Sequence, residues 1–364
     1  VTGIMAAVPL DQPRALASFR RALLAWYRRS ARDLPWRRTK DPYRIWLSEM
    51  LLQQTRVETA SPYYERFVRE LPTVQALAAA PLDRVLKLWE GLGYYTRARN
   101  LHRAARQIVV CSGGRLPQDV ADWQALPGIG PYAAAAIASI AHGQPCAAVD
   151  GNVRRVLARL VCLDDPPDTP RARVVAQTWA DRLLARRQPG DFNQAMMELG
   201  ARICRPRGPD CERCPVQRWC GAYAAGLVDE LPRRRQRPPV PRFDEVAGLI
   251  QRRGRLLLVK RPPTGLLGGL WELPGGEVRA GETPADALVA RLSETLGIDV
   301  ADVQPRAVLR HAFTHRAVRL HVCTCRLVAG RAQPVQHTEA KWITPSQVDD
   351  YALTRLTRSA LADL

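Results

Sequence analysis

Three groups of side chains in this 364-residue sequence have the types and spacing to do chemistry. The first is a thiol quartet, Cys204, Cys211, Cys214 and Cys220, separated by six, two and five residues. Thiolates at such short intervals can converge on one centre, and they are the ligands that [4Fe–4S] clusters and structural zinc both select. Two short disulfides are the bland alternative, an odd framework in a long chain with nine cysteines in all. The second group is a pair of carboxyls. Glu49 lies in Ile45-Trp-Leu-Ser-Glu-Met-Leu-Leu-Gln-Gln-Thr-Arg-Val57, an otherwise apolar helical run. Facing inward, it would be desolvated and held protonated, as a general acid requires; facing outward, it would be an ordinary solvated Glu. Asp150 follows the apolar Pro145-Cys-Ala-Ala-Val149 and precedes Gly151-Asn-Val-Arg-Arg155, which opens a helix. There it would be an N-cap, and the helix dipole would favour its ionised form. An acid for the leaving group and a negative charge beside a nascent cation are what glycosidic hydrolysis needs.

The third group is a hairpin, Leu126-Pro-Gly-Ile-Gly-Pro-Tyr132. Gly128 and Gly130 would permit a tight turn and let backbone N–H groups approach an anion. Pro131 suits the first position of the helix that follows. An ordinary helix–turn–helix corner would use the same residues.

These groups need elements to hold them, and the pattern supplies two kinds. From about Pro13 to Ala224 the chain reads as helices joined by short turns. Leu16–Arg29, Ile45–Ala60, Leu82–Trp89, Arg97–Cys111 and Arg171–Arg186 carry apolar residues at three- and four-residue intervals. Leu231-Pro-Arg-Arg-Arg-Gln-Arg-Pro-Pro-Val-Pro241 cannot continue a helix and reads as an exposed linker. Beyond it, Val246–Ile250, Leu256–Lys260, Ala307–His311 and Val318–Leu327 read as strands, and Pro284–Leu296 and Thr354–Leu361 as helices. The expected organisation is multidomain: an all-α domain over 1–230, a linker over 231–242 and an α+β domain over 243–364.

Composition narrows the partner. Lys and Arg number 54 against 35 Asp and Glu, a net charge of +19, which points first to nucleic acid and second to an anionic membrane. Nearly all of the cations are Arg; the lysines are Lys40, Lys87, Lys260 and Lys341. Apolar runs fall short of the roughly 18 residues a membrane span needs. The stretch from Val1 to Leu10 lacks the basic start of a secretory signal, and the cysteine usage fits a reducing cytosol.

Taken together, these motifs resemble a known family. The cysteine spacing resembles the iron–sulfur loop of the endonuclease III superfamily of DNA glycosylases, which favours iron over zinc. The 126–132 hairpin resembles the helix–hairpin–helix motif of those enzymes. Ser48–Val57 and Val149–Val153 look like the catalytic helix and aspartate turn of adenine DNA glycosylases of the MutY type. Arg32-Asp-Leu-Pro-Trp-Arg37 and Gly91-Leu-Gly-Tyr-Tyr-Thr-Arg-Ala-Arg-Asn100 match that family too. The resemblance implies an all-α helix–hairpin–helix glycosylase with a [4Fe–4S] loop over 204–220, followed by a Nudix-like domain. By analogy Glu49 protonates adenine, Asp150 stabilises the sugar cation, and Tyr132 and Asn152 support them. Gln54 and Tyr94 would enter the base stack of the opposite strand. Arg32, Trp36, Arg37, Thr55, Leu92 and Gly93 would line the DNA or the base pocket, with Gly128 and Gly130 on phosphate. Lyases of the superfamily carry a Lys just after the hairpin; Tyr132 stands there instead and cannot form an imine.

Gly275-Gly-Glu-Val-Arg-Ala-Gly-Glu282 resembles the start of a Nudix box. Its metal-binding half is broken, because Ala290-Arg291 and Glu294-Thr295 stand where Arg-Glu and Glu-Glu are needed. Such a domain recognises 8-oxoguanine in this family, through a loop that here reads Phe313-Thr314-His315. The resemblance thus implies a monofunctional, monomeric enzyme of base excision repair, cytoplasmic and, in a bacterium, nucleoid-associated, acting on duplexes with adenine opposite 8-oxoguanine or guanine. A bifunctional glycosylase/lyase, a Nudix-type hydrolase of oxidised nucleotides and a non-catalytic iron–sulfur DNA-binding protein are the competing readings.

Overall fold

A computed structural model of the chain describes residues 10–233 and 239–362. Most of Val1–Leu10 and the Arg-rich middle of the linker therefore lie outside the described residues. Helices α1 (Pro13–Ser30), α2 (Pro42–Leu52), α3 (Val57–Glu70), α4 (Val74–Ala79), α5 (Leu82–Leu88), α6 (Thr96–Ser112) and α7 (Val120–Gln124) come first. They are followed by α8 (Pro131–His142), α9 (Gly151–Leu160), α10 (Pro170–Leu183), α11 (Pro189–Arg202) and the short α12 (Gly221–Ala224). No helix among the described residues is long and apolar enough to cross a membrane.

Local chemistry explains several of these boundaries. Asp41 caps α2 by accepting from the Tyr43 and Arg44 amides, and Pro42 occupies the first position, where no donor is lost. The single helix expected over Ile45–Ala60 is instead two. It breaks after Leu52, where Gln54 takes a left-handed φ of 56°, and it restarts at Val57. No Gly or Pro marks that break, so periodicity runs straight through it. The hairpin forms between α7 and α8 as its residues dictate. Gly128 sits at φ 79°, a conformation costly for any other residue, whereas Gly130, at φ −86°, needs no such freedom.

Helices α1, α9, α10 and α11 share one core, in which the Phe19 and Trp219 rings meet edge to face at 5.6 Å. Cys204, Cys214 and Cys220 pack against that core, so the thiol loop is anchored by apolar contacts as well as by its own turns.

The C-terminal strands are β1 (Arg242–Arg252), β2 (Arg255–Lys260), β3 (Trp271–Glu272), β4 (Gly275–Glu277), β5 (Ile298–Ala312), β6 (Ala317–Gly330) and β7 (Glu339–Ile343), with helices α13 (Pro284–Leu296) and α14 (Arg355–Ala360). Their main order is β3-β2-β1-β6-β5, with β4 on β1 and β7 on β2; among these described strands β1 and β6 pair parallel and the other pairs are antiparallel. One sheet face packs on α13 residues such as Leu288 and Leu292, while a second cluster joins Leu320, Leu353 and Leu361. Strand β5 is longer than the Ala307–His311 expected, because its first half pairs with β6 across bulges that interrupt the alternation.

Residue contacts divide the chain into two units. One holds residues up to Gln75 and from Arg103 to the linker; the other joins Ala76–His102 to everything beyond the linker. The linear reading placed 76–102 with the first 230 residues. Its grouping with the sheet follows from specific pairs: Lys260 with Asp83 at 2.8 Å, Arg358 with Glu90 at 2.8 Å, and Arg99 with the Gly268 carbonyl at 2.6 Å.

Candidate active site

In the first unit a cleft of about 1020 Å³ brings together Arg32, Trp36, Arg37, Glu49, Gln54, Thr55, Tyr132, Asp150 and Asn152. Glu49 projects from α2 into this cleft and is only 6% exposed. Burial pushes its carboxyl up to about 7; the Tyr132 hydroxyl and Arg37 oppose the rise, and the charge of Asp150 adds to it. The Tyr132 hydroxyl, at the start of α8, donates to Glu49 Oε2 at 2.8 Å and lies 3.1 Å from the Met197 sulfur.

Asp150 is the N-cap of α9. Its Oδ1 accepts from the Val153 amide at 2.7 Å and its Oδ2 from the Asn152 side chain at 2.9 Å. The dipole was expected to hold this carboxyl down. Burial instead raises it, against the pull of the Val153 amide, Asn152 and Arg155. The two carboxyls are thus dressed differently, Asp150 with several donors to its charged form and Glu49 with few.

Supporting residues invisible to motif reading complete the cleft. Glu198 of α11 is fully buried and accepts from Arg32 and Arg37, each at 2.8 Å. Burial would raise its carboxyl, but those two guanidiniums win and hold it at about 2. It fixes both cations on the cleft wall. Asn193 receives the Ala148 amide and donates to the Cys146 carbonyl, which straightens the segment feeding Asp150. Gly200 permits the close approach of α11 to α9, since a Cβ there would meet the Asn152 Cβ at 2.7 Å. The apolar spacing of α11 hints only that it is a core helix; the polar residues at 193 and 198 within that spacing are the sole signal.

Arg155 continues the path from Asp150. It donates to Asn152 Oδ1, the Gly200 carbonyl and the Cys204 carbonyl, each at 2.8 Å. Arg159, one turn on, reaches the Cys204 sulfur at 3.2 Å and the Arg205 carbonyl at 2.8 Å. None of the four thiols is in a disulfide. Among the described residues no three Cys, His, Asp or Glu are grouped as a bound metal ion would require. The quartet nonetheless shares one neighbourhood. The Cys214 thiol feels Cys204, Cys220 and Cys211, and burial raises it to about 12. Burial likewise raises Cys220, to about 11. Backbone groups of Val216 beside Cys214, and of Tyr223 and Ala222 beside Cys220, favour their charged forms. Free thiols with amide and guanidinium donors aimed at sulfur form a donor set whose chemistry suits a thiolate-held metal centre, iron–sulfur or zinc.

In the second unit, Tyr94 stands on the turn between α5 and α6 with a left-handed φ of 48° and 46% exposure. Its neighbours brace it. The Trp89 indole donates to the Gly93 carbonyl, and the Arg97 guanidinium lies 5.1 Å from the Trp89 ring and 5.5 Å from that of Tyr94. Leu92 is buried beneath the turn. The Tyr94 hydroxyl meets Thr314 Oγ1 at 2.5 Å, in the exposed turn Phe313–His315 between β5 and β6. Within the first unit, hairpin residues Gly128 and Gly130 and the thiols do not line the carboxyl cleft; Leu92, Gly93, Tyr94 and the 313–315 turn belong to the other unit.

The broken Nudix segment carries its own cation. The Arg291 guanidinium contacts Glu282 at 3.3 Å and Glu294 at 3.0 Å and donates to the Glu277 carbonyl. A positive side chain among these acids opposes the binding of Mg²⁺ there.

Comparison with known proteins agrees with both halves. The family described as "HhH-GPD superfamily base excision DNA repair protein" matches residues 47–180, and "NUDIX domain" matches 246–363. The adenine DNA glycosylase of Rattus norvegicus is 35% identical over 90% of this chain and 74% of its own length. The chain belongs to the adenine DNA glycosylase family. The human adenine DNA glycosylase is 34% identical over 93% of the chain and 72% of its own length, and that of Schizosaccharomyces pombe is 30% identical over 93% and 87%. Among solved structures, a thermostable thymine-DNA glycosylase aligns with a TM-score of 0.54 at 30% identity, over 58% of this chain and 98% of that one. A trapped endonuclease III–DNA covalent intermediate shares the fold, with a TM-score of 0.51 over 59% of this chain and 98% of that one, at 20% identity. As an adenine DNA glycosylase of base excision repair, the chain is an N-glycosylase, a hydrolase that binds DNA.

Proposed function

We propose that this glycosylase excises adenine mispaired with 8-oxoguanine or guanine and leaves an abasic site without cutting the strand. The observation that carries the reading is a buried Glu49, poised near neutrality, sharing a cleft with Asp150. An extruded adenine enters the cleft, and its unstacking is the energy the enzyme must supply. Tyr132 occupies Glu49 Oε2, so Oε1 is the oxygen left to hold a proton for the purine N7. As the base departs, the sugar becomes cationic, and Asp150, held by Val153 and Asn152, faces it with negative charge. Arg37, anchored by Glu198, and Trp36 line the space for the base. Tyr132 has no amine, so no Schiff base forms and the reaction stops at hydrolysis.

Recognition of the orphaned base falls to the second unit in this reading. Tyr94, rigid and exposed, inserts into the stack; Thr314 reads 8-oxoguanine through its hydroxyl, with Phe313 and His315 beside it. Gly128 and Gly130 offer backbone N–H groups to phosphate, and Gln54 and Thr55 contact the duplex. Cys204, Cys211, Cys214 and Cys220 hold a [4Fe–4S] cluster, which supplies a fixed anchor and local charge for the loop around it. The enzyme acts as a monomer.

A duplex carrying 8-oxoguanine opposite adenine tests this directly. After incubation and alkali, the adenine strand breaks, and borohydride traps no covalent adduct. Breakage of the 8-oxoguanine strand, or a trapped adduct, overturns the reading. DNA affinity falls steeply between low and moderate salt, because Arg–phosphate contacts release counterions; a flat response removes the basic surface from the docking face.

The purified protein absorbs in the visible region through sulfur-to-iron charge transfer, and Cys214→Ser bleaches that band. A colourless, active, zinc-loaded protein would refute the cluster assignment.

A further inference from the structure

The contact between Tyr94 and Thr314 is between two exposed residues, and the bracing of the Tyr94 turn by Trp89 and Arg97 does not reach the Thr314 side. Its register must be set elsewhere. Glu90 lies at the base of the Tyr94 turn, directly before Gly91, and its side chain is only 16% exposed. One oxygen, Oε1, accepts from Arg358 Nε at 3.0 Å, from Arg358 Nη2 at 2.8 Å and from the Leu353 amide at 3.3 Å. The other, Oε2, accepts from Lys87 at 2.6 Å, and Lys87 also donates to the Tyr351 carbonyl at 3.1 Å. A single carboxylate thus binds the Tyr94 turn to the segment 351–358.

That segment is continuous with the lesion turn through packing. Leu353 is fully buried, Tyr351 and Leu356 pack on the same cluster, and Phe313 packs there as well. The Leu353 backbone is held from its other side by Trp271, which exchanges bonds with Ala352 and Thr354. Phe313, next to Thr314, thus shares its apolar packing with 351–358.

We propose that Glu90 is a positioning residue for lesion recognition: by clamping Arg358 and the Leu353 amide, it sets Thr314 against Tyr94. Glu90 belongs to the second unit and the carboxyl cleft to the first, so its effect is on discrimination and not on base release. The inference rests on the reading of Thr314 and Tyr94 given above.

Single-turnover rates on duplexes with 8-oxoguanine·adenine and guanine·adenine test it in the full-length protein. In Glu90→Gln the preference for 8-oxoguanine·adenine falls about ten-fold, while the guanine·adenine rate stays within about two-fold of the parent. Arg358→Gln reproduces the loss, and the double variant is no worse than the poorer single, because both remove the same pair. Arg358→Lys, which keeps the charge and is the milder change should the Gln variants fold poorly, retains part of the preference. An unchanged preference in folded variants overturns the proposal, and so does an equal fall on both substrates. A parent enzyme with no preference at all would instead sink the underlying reading before any variant is made.

Discussion

Replacing Glu49 with Gln slows single-turnover adenine release by about 10³-fold while DNA binding is retained. Gln keeps the size of the side chain and can still accept from the Tyr132 hydroxyl at 2.8 Å, so the substitution removes the proton and little else. The parent rate depends on the protonated fraction of a carboxyl at about 7, and the sign of the pH profile follows. At the acid end the rate is limited by protonation of Asp150, whose carboxyl burial raises, and above roughly pH 8 it falls about ten-fold per unit as Glu49 loses its proton. That limb disappears in the variant. Stability moves in the opposite direction. An acid whose folded pKa is raised destabilises the fold once pH exceeds its unfolded value, with the full penalty reached above about 7. Gln carries no such penalty, so thermal melting at pH 8 shows a stabilisation on the order of 3 kcal/mol, which fades by about pH 4.5. Near-parental activity in a folded Glu49→Gln protein would remove this side chain from the chemistry.

Glu198→Gln destabilises the fold at neutral pH by about 3 kcal/mol, the largest stability loss expected from a single cleft residue. The carboxylate has no solvent exposure and accepts from two guanidiniums, those of Arg32 and Arg37, at 2.8 Å each, with Arg202 a third cation at 3.8 Å. Losing it leaves Arg32 with only the 4.0 Å contact to Glu58 and takes the carboxylate from Arg37, which is just 14% exposed. Its carboxyl is depressed to about 2, so it contributes fully above its unfolded value and loses that contribution as pH falls toward 2. Melting experiments should therefore show a large gap between parent and variant at pH 7 that narrows below pH 4. Adenine release also slows, by about ten-fold, as Arg37 is freed from its place beside Glu49. Equal melting temperatures at both pH values would show that the triad is not a stabilising unit.

The two interventions act on different links of one construction. Glu49 is destabilising where it sits and is kept for its chemistry, a local conflict of the kind functional sites carry. Glu198 resolves a comparable burial problem with two partners, and so repays its desolvation. The contrast is set by neighbours: Glu49 is hydrogen-bonded by one hydroxyl and feels Arg37 against the charge of Asp150, whereas Glu198 is hydrogen-bonded by two fixed cations.

Much of this was legible in the linear chain. The spacing of the four cysteines, the Gly-Pro hairpin, the apolar run around Glu49 and the cap at Asp150 are local signals, each readable within 17 residues or fewer. Helix and strand types follow from periodicity for the same reason, and α13 falls where Pro284–Leu296 was expected to lie. What the chain alone could not decide depends on contacts between distant residues. The break at Gln54 has no local marker, and the rise of the Asp150 carboxyl comes from burial that its cap bonds only partly offset. Glu198, Asn193 and Arg155 gain their roles from partners that lie 45 to 166 positions away in the chain. The grouping of 76–102 with the sheet is of the same kind, because the pairing of Glu90 with Arg358 spans 268 residues. Residue types and short spacings determined which chemistry was available; burial and long-range pairing decided which proton is held, which charge is balanced and which turn is braced.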